Sequence, residues 1–226
     1  MDQSVRKLLG GAFLCAFGTA LLALLFYGST RISDFDARVT SHFLATPGSR
    51  LDDLATFGAK LAEPAPLILI FFGLIALAVV WNRPWHLLAA AGVIAGANLT
   101  TQVMKLIMAH PRFQGALGVS YPIEIGYPSG HTTAALASAV GLWLVTPPKW
   151  RPWAAIAGTA YGLAVAAGVV VAGWHLVSDV LGAAMVVGFW ACVAMAALIQ
   201  AGLEGRGKAA DPDRTNRPPR GPSRTG

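Results

Sequence analysis

The chain has 226 residues, 55% apolar and 12% charged, with a mean hydropathy of +0.57 and a formal net charge of +6. Long uncharged runs exclude an ordinary soluble domain and read as a multi-spanning membrane protein. The basic excess shows no aromatic interleaving and no recognised nucleic-acid module, so no nucleic-acid partner is expected.

Six apolar stretches follow in chain order: about Leu8–Tyr27, Pro66–Trp81, Trp85–Met108, Thr132–Val145, Trp153–Gly173 and Val180–Gly202. The expected fold is therefore all-α, a polytopic bundle of six transmembrane helices. The first stretch, behind Arg6 and Lys7, has the layout of a signal peptide. Its apolar run exceeds the roughly 7–15 residues of such a segment and no small-x-small cleavage site follows, so a retained helix is expected. The fourth is short against the roughly 20-residue rule. Its start is expected to take in His131 or the residues just before it.

Between the first two stretches, residues 28–64 mix Asp34, Asp36, Arg38, Asp52, Asp53 and Lys60 with Phe35, Val39, Phe43, Leu44, Leu51, Leu54 and Phe57. This is too polar to span. It reads as one or two amphipathic helices at the membrane interface, broken near Pro47-Gly48. Two roles stay open for it: a lid or lipid gate, or a connection that covers helix ends.

Gly92-x-x-x-Gly96 and Gly158-x-x-x-Gly162 place small residues on one helix face and suit close packing. Cys15 and Cys192 lie in apolar stretches with no disulfide or metal spacing, and read as small hydrophobes. Residues 1–203 form the expected membrane domain. Residues 204–226, rich in Pro, Arg, Gly and Asp, read as a disordered basic tail drawn to anionic lipid.

Lys and Arg set the expected orientation. With the N-terminus inside, eleven of the seventeen are cytoplasmic: Arg6, Lys7, Arg83, Lys149, Arg151 and six in the tail. Arg31, Arg38, Arg50, Lys60, Lys105 and Arg112 are outside. Both termini are then cytoplasmic, and the chain sits in a cell (inner) membrane.

Three polar clusters fall on the outer face. An ionisable group inside an apolar span costs about 3 kcal/mol, so each invites a functional reading. Lys105 and Arg112 offer a point charge and a planar fork of donors, both suited to phosphate oxygens. Lys105 alone could equally snorkel to the interface. Pro128-Ser129-Gly130-His131 precedes an apolar helix, where Ser caps, Gly admits a ligand and the free amides form an anion pocket. His175 and Asp179, four apart, share a helix face. The carboxylate then fixes the imidazole tautomer and makes the other nitrogen a nucleophile, although such a pair also serves as a structural cap.

Lys-x6-Arg, Pro-Ser-Gly-His and His-x3-Asp, in this order and with six spans, resemble the three signature motifs of the type 2 phosphatidic acid phosphatase superfamily, which includes the lipid phosphate phosphatases. The resemblance extends over residues 8–202. It implies that Lys105, Arg112, Ser129 and Gly130 hold the phosphate. His175 would be the nucleophile, Asp179 its orienting partner and His131 the general acid, with no metal or other cofactor. The implied partners are a lipid phosphate substrate and the bilayer. A polyprenyl carrier is the favoured substrate, ahead of phosphatidylglycerophosphate or phosphatidate.

Two positions depart from the family pattern. Phe113 follows Arg112 where proline is usual, and Val169 stands where the third motif usually has an arginine six residues before its histidine. Loss of one preorganised donor typically costs 10²- to 10³-fold in rate, as an order of magnitude. The chain thus reads as a slow phosphatase, one with a substituted cation such as His110, or a lipid-phosphate binder or transporter of the same fold. A proton or ion transporter would call for symmetric halves, and no internal repeat is found.

Overall fold

Proline and short polar side chains punctuate the apolar runs, and helices begin where they stand. The computed structural model describes residues 2–108 and 126–204, which form eight α-helices and, among the described residues, no strand. These are α1 (Gln3–Gly28), α2 (Thr30–Ser41), α3 (Arg50–Lys60), α4 (Pro64–Val80), α5 (Pro84–Ile107), α6 (Gly130–Val145), α7 (Arg151–Val171) and α8 (Val177–Gln200). Pro64, Pro84 and Pro152 occupy first turns, where an amide hydrogen has no partner to lose. Asp2, Ser49 and Ser129 cap α1, α3 and α6 through their side chains.

All six apolar stretches are helical, and the polar segment supplies α2 and α3 on either side of Pro47-Gly48. Length qualifies the six-span expectation. By length and composition α1, α5, α7 and α8 can each cross a membrane, and α3 with α4, bent by 48°, passes as one further unit. α6 has only 16 residues, about 24 Å at 1.5 Å per residue against a hydrocarbon core of about 30 Å. It starts at Gly130, because the Pro128-Ser129 cap stops it extending further toward the N-terminus. The protein is a multi-pass membrane protein, with four to five spans by this measure among the described residues.

α6 lies at the centre, packed on α4, α5, α7 and α8, while α1 runs along α8 and α3 along α7. One apolar core joins Leu74, Val93, Leu144, Val186 and Val187; a second joins Ala59, Ala135, Val165 and Val169. Gly158 and Gly162 seat α7 on α6, against Ala139 and Leu136. The other small-residue pair behaves differently: Gly96 faces the Trp190 ring, but Gly92 has nothing within 4 Å of a built Cβ. Cys15 and Cys192 are free, and each sulfur rests on a glycine of the facing helix, Gly188 and Gly11.

α2 and α3 reverse the soluble pattern. Asp36, Ala37 and Thr40 of α2 and Ala55, Gly58 and Ala59 of α3 are buried, while Phe35, Phe43, Leu51, Leu54 and Phe57 are exposed. At a membrane interface this is the economical arrangement, since lipid accepts the large apolar side chains and small or polar ones allow close docking. Gly168 shows how close: a Cβ there would stand 2.6 Å from the Ala55 carbonyl oxygen and the Ala59 nitrogen.

A clasp closes the end of the bundle where α5 and α7 start and α8 finishes. Gly202 takes a left-handed turn at φ +68° after α8. Glu204, read from the sequence as the first tail residue, then meets Arg83 Nη2 (3.2 Å), His86 Nε2 (3.0 Å) and both terminal nitrogens of Arg151. Arg83 Nη1 and Arg151 Nε both donate to the Thr146 carbonyl, at 3.1 and 3.2 Å. Arg151 also lies 4.2 Å over the Trp143 ring. The rest of the predicted tail, residues 205–226, lies outside the described residues.

Burial alone would raise the Glu204 carboxyl, but the bonds and charge of Arg151 and His86 outweigh it and hold the group below its ordinary 4.5. A depressed folded value stabilises the fold above the unfolded value, and this contribution is lost as pH falls through the folded one. Wild type is therefore expected to melt above Glu204→Gln in detergent at pH 7. That gap closes as pH drops below 4.5. A gap independent of pH in thermal melts would show that the carboxylate charge is not what holds the clasp.

Candidate active site

At the opposite end, α7 turns into α8 through a tight reversal. Gly173 adopts φ +74°, a left-handed geometry that glycine reaches without a Cβ penalty. The amides of Trp174 and His175 then both donate to the Val169 carbonyl, at 2.9 and 3.0 Å. Leu176 caps α8 and Asp179 is its third residue. Asp179 Oδ2 accepts the Leu176 amide at 3.0 Å and faces His175 Nδ1 at 3.1 Å. A carboxylate only accepts, so the proton of this pair sits on Nδ1 and the lone pair on Nε2. His175 is 7% exposed and Asp179 0%.

The Pro-Ser-Gly-His loop is tied to the same carboxylate residue. Ser129 donates its amide to the Asp179 carbonyl at 3.1 Å. Its side chain accepts the Thr132 amide at 3.3 Å. Thr133 Oγ1 donates to the Ser129 carbonyl at 2.8 Å and meets Thr101 Oγ1 of α5 at 3.0 Å. Before the loop, the Tyr127–Pro128 peptide is cis. The buried Tyr127 lies over Gly182, where a Cβ would come within 2.6 Å of its ring, and donates its hydroxyl to the Thr19 carbonyl at 2.8 Å. α1, α5, α6 and α8 are thus all fastened to this one loop.

Lys105 reaches it from α5, its Nζ standing 3.3 Å from where a Gly130 Cβ would be. A larger residue at 130 would crowd the cation away from the start of α6. The His131 ring meets the Trp174 ring edge to face, centroids 5.4 Å apart, which places it beside the residue preceding His175. Among the described residues, the buried Thr132 Oγ1 of this first turn has no hydrogen-bond partner. Lys105, Ser129, Gly130, His131, His175 and Asp179 therefore gather at one end. Arg112 and His110 lie outside the described residues. Among the described residues no three His, Cys, Asp or Glu side chains form a metal-ligand group.

Val169 donates no charge to the site. It is 0% exposed and belongs to the apolar cluster of Ala59, Ala135 and Val165. Its carbonyl, not its side chain, serves the histidine.

Sequence reasoning missed Asp36 and Thr40. Asp36 accepts the Ser178 hydroxyl at 2.5 Å and the Ser178 amide at 3.3 Å, and Thr40 Oγ1 accepts the Val177 amide at 3.2 Å. Two residues of α2 thus cap the first-turn amides of α8, next to Asp179. α2 therefore covers a helix end. The signal was their spacing of four, which puts two polar groups on one face of an otherwise lipid-seeking helix.

The sequence model of the PAP2 superfamily matches residues 86–202. Among solved structures, the fold is similar to the crystal structure of the first transmembrane PAP2 type phosphatidylglycerolphosphate phosphatase from Bacillus subtilis, with a TM-score of 0.65 and 17% identity. That similarity covers 86% of this chain and 98% of the other. At such identity the likeness speaks for the fold. No curated protein matches the sequence.

Asp36→Ala is expected to destabilise the protein by about 1–3 kcal/mol, because a buried hydroxyl and amide lose their acceptor. Asp36→Asn, which keeps an acceptor, should lose less. Thermal melts in detergent check the ranking, and equal melting of wild type and Asp36→Ala would refute the capping role.

Proposed function

The chain belongs to the PAP2 superfamily, and on that footing we propose that it is a membrane phosphatase releasing phosphate from a lipid phosphate or diphosphate. The observation that carries this reading is the double use of Asp179. Its side chain sets the His175 tautomer and its carbonyl holds the Ser129 loop, so a nucleophile and an anion pocket face one another.

Chemistry follows from these positions. The phosphate rests against Lys105, the Ser129 hydroxyl and the first-turn amides at Gly130 and His131, with Arg112 supplying a bidentate contact. His175 Nε2 attacks phosphorus, forming an N–P bond as the P–O bond to the lipid breaks. Protonated His131 gives its proton to the departing oxygen, which leaves as an alcohol, or as a lipid monophosphate when the substrate is a diphosphate. Neutral His131 then takes a proton from water, whose oxygen attacks the phosphohistidine and frees phosphate and His175. The cations and the helix amides neutralise charge that develops on the phosphoryl oxygens. Lys and Arg bias puts both termini in the cytoplasm and the site at the extracytoplasmic leaflet of a cell membrane. For the lipid we favour a polyprenyl carrier, which an outward site suits.

A second reading, a weak or silent lipid-phosphate binder, is favoured by Val169. Its burial among alanines and valines means that no cation replaces the usual arginine at that position. The two readings separate on a covalent intermediate.

Purified protein with EDTA is expected to release phosphate from polyprenyl diphosphate, polyprenyl phosphate or phosphatidate. His175→Asn should lower the rate by about 10⁴-fold or more. Activity abolished by EDTA would refute the metal-free route. No release and no phosphohistidine at His175, with lipid binding intact, would favour the binder. Val169→Arg buries a cation in an apolar cluster and is expected to lower thermal stability without raising turnover. A large gain in phosphate release would instead show that this missing cation limits catalysis.

A further inference from the structure

Among the described residues, the clasp at the end of the bundle away from His175 gathers more donors than its carboxylate, Glu204, can serve. Glu204 Oε1 receives Arg83 Nη2, His86 Nε2 and Arg151 Nη2, and Oε2 receives Arg151 Nη1. Two guanidinium groups against one carboxylate leave one positive charge, in side chains only 10–13% exposed. Among the described residues, the buried Arg83 Nε has no hydrogen-bond partner. Burial first, and then the neighbouring Arg151 charge, press the Arg83 guanidinium below its ordinary value in spite of Glu204. A buried cation without full compensation is costly, and an added anion relieves that cost.

An apolar groove runs alongside. α5 and α8 enclose a cavity of about 270 Å³, lined by residues that include Trp85, Leu88, Gly92, Val193, Ala197 and Leu203. Trp190 closes its far end, the ring set against Gly96 and the indole N–H given to Thr100 Oγ1 at 3.1 Å. At its near end Trp85 and Leu203 are the chain neighbours of His86 and Glu204, one peptide (about 3.8 Å) away. An apolar slot on the flank of a membrane helix pair, ending at a cation surplus, matches one ligand chemistry: a hydrocarbon chain attached to an anionic head.

We propose that this end of the protein binds one anionic phospholipid of the adjoining leaflet, its phosphate at Arg83 and Arg151 beside Glu204 and one acyl chain in the α5–α8 groove. The site is independent of the phosphatase reading. Along α5, Arg83 and Lys105 are 22 residues apart in sequence, about 33 Å of helix rise. Glu204 acts there as an internal competitor that satisfies the arginines in part and leaves room for a second anion.

The test uses the full chain in detergent, supplied with dioleoyl phosphatidylglycerol or dioleoyl phosphatidylcholine, with retained lipid counted by native mass spectrometry. The anionic lipid should be held roughly tenfold better, the scale of one charge-assisted hydrogen bond. Arg83→Gln should reduce that preference. Gly92→Phe should abolish it by filling the groove, and a Cβ there has nothing within 4 Å; an unchanged melting temperature of the variant confirms that the fold is kept. Lys105→Gln, at the other end, should leave it unchanged. Equal retention of both lipids overturns the proposal. So does a preference that survives Gly92→Phe or disappears in Lys105→Gln. In Lys105→Gln, where the other site is weakened, inorganic phosphate raising the melting temperature as much as the anionic lipid would also overturn it, since a bare anion has no use for the groove.

Discussion

A carboxylate at the third position of α8 is the constraint around which this molecule is arranged. Asp179 is 0% exposed, accepts the amide that begins its own helix, faces His175 Nδ1, and through its carbonyl holds Ser129. A charge so placed is tolerable only with several donors around it. Those donors are the parts a phosphate site needs: an imidazole with a defined tautomer and a loop that opens a helix toward an anion. The same bonds that make the carboxylate bearable bring the third motif onto the second.

Bilayer physics accounts for much of what surrounds it. Backbone groups at helix ends have no water to turn to when other helices cover them, so neighbouring elements must supply partners. α2 does this for α8 with Asp36 and Thr40, and the Val169 carbonyl does it for Trp174 and His175. At the other end Thr146 and Glu204 answer two arginines. Polar groups are therefore concentrated at the two ends, and the middle of the bundle is held by alanine, valine, leucine and glycine packed at short range. A strong end facing His175 and a clasp facing the other leaflet are two solutions to one problem.

Val169 shows how a motif departure is absorbed. The backbone at this position keeps its duty as a double acceptor, and the side chain joins the packing of α3, α6 and α7. The loss concerns one cation and leaves the backbone support of His175 intact.

Much was legible in the sequence because the signals are local. Runs of apolar residues define helices, and prolines and Ser129 mark their starts. The His–Asp spacing of four pointed to a pair on one helix face, but His175 stands in the turn before the Leu176 cap, and Asp179 reaches it from the third position of α8. The family pattern follows from such spacings. For Asp36 the only local signal is its spacing of four from Thr40; its partner Ser178 lies 142 residues away, so the contact itself was not legible. Glu204 reads as tail by composition and becomes a clasp only when the starts of α5 and α7 and the end of α8 lie side by side. The membrane class, the helix positions and the residue types of the site belong to the sequence by itself, since each depends on hydrophobicity and short-range geometry. Which of those residues share a pocket, and which helix supplies the cap of another, was decided by tertiary packing, because those bonds join groups that only the folded bundle brings together.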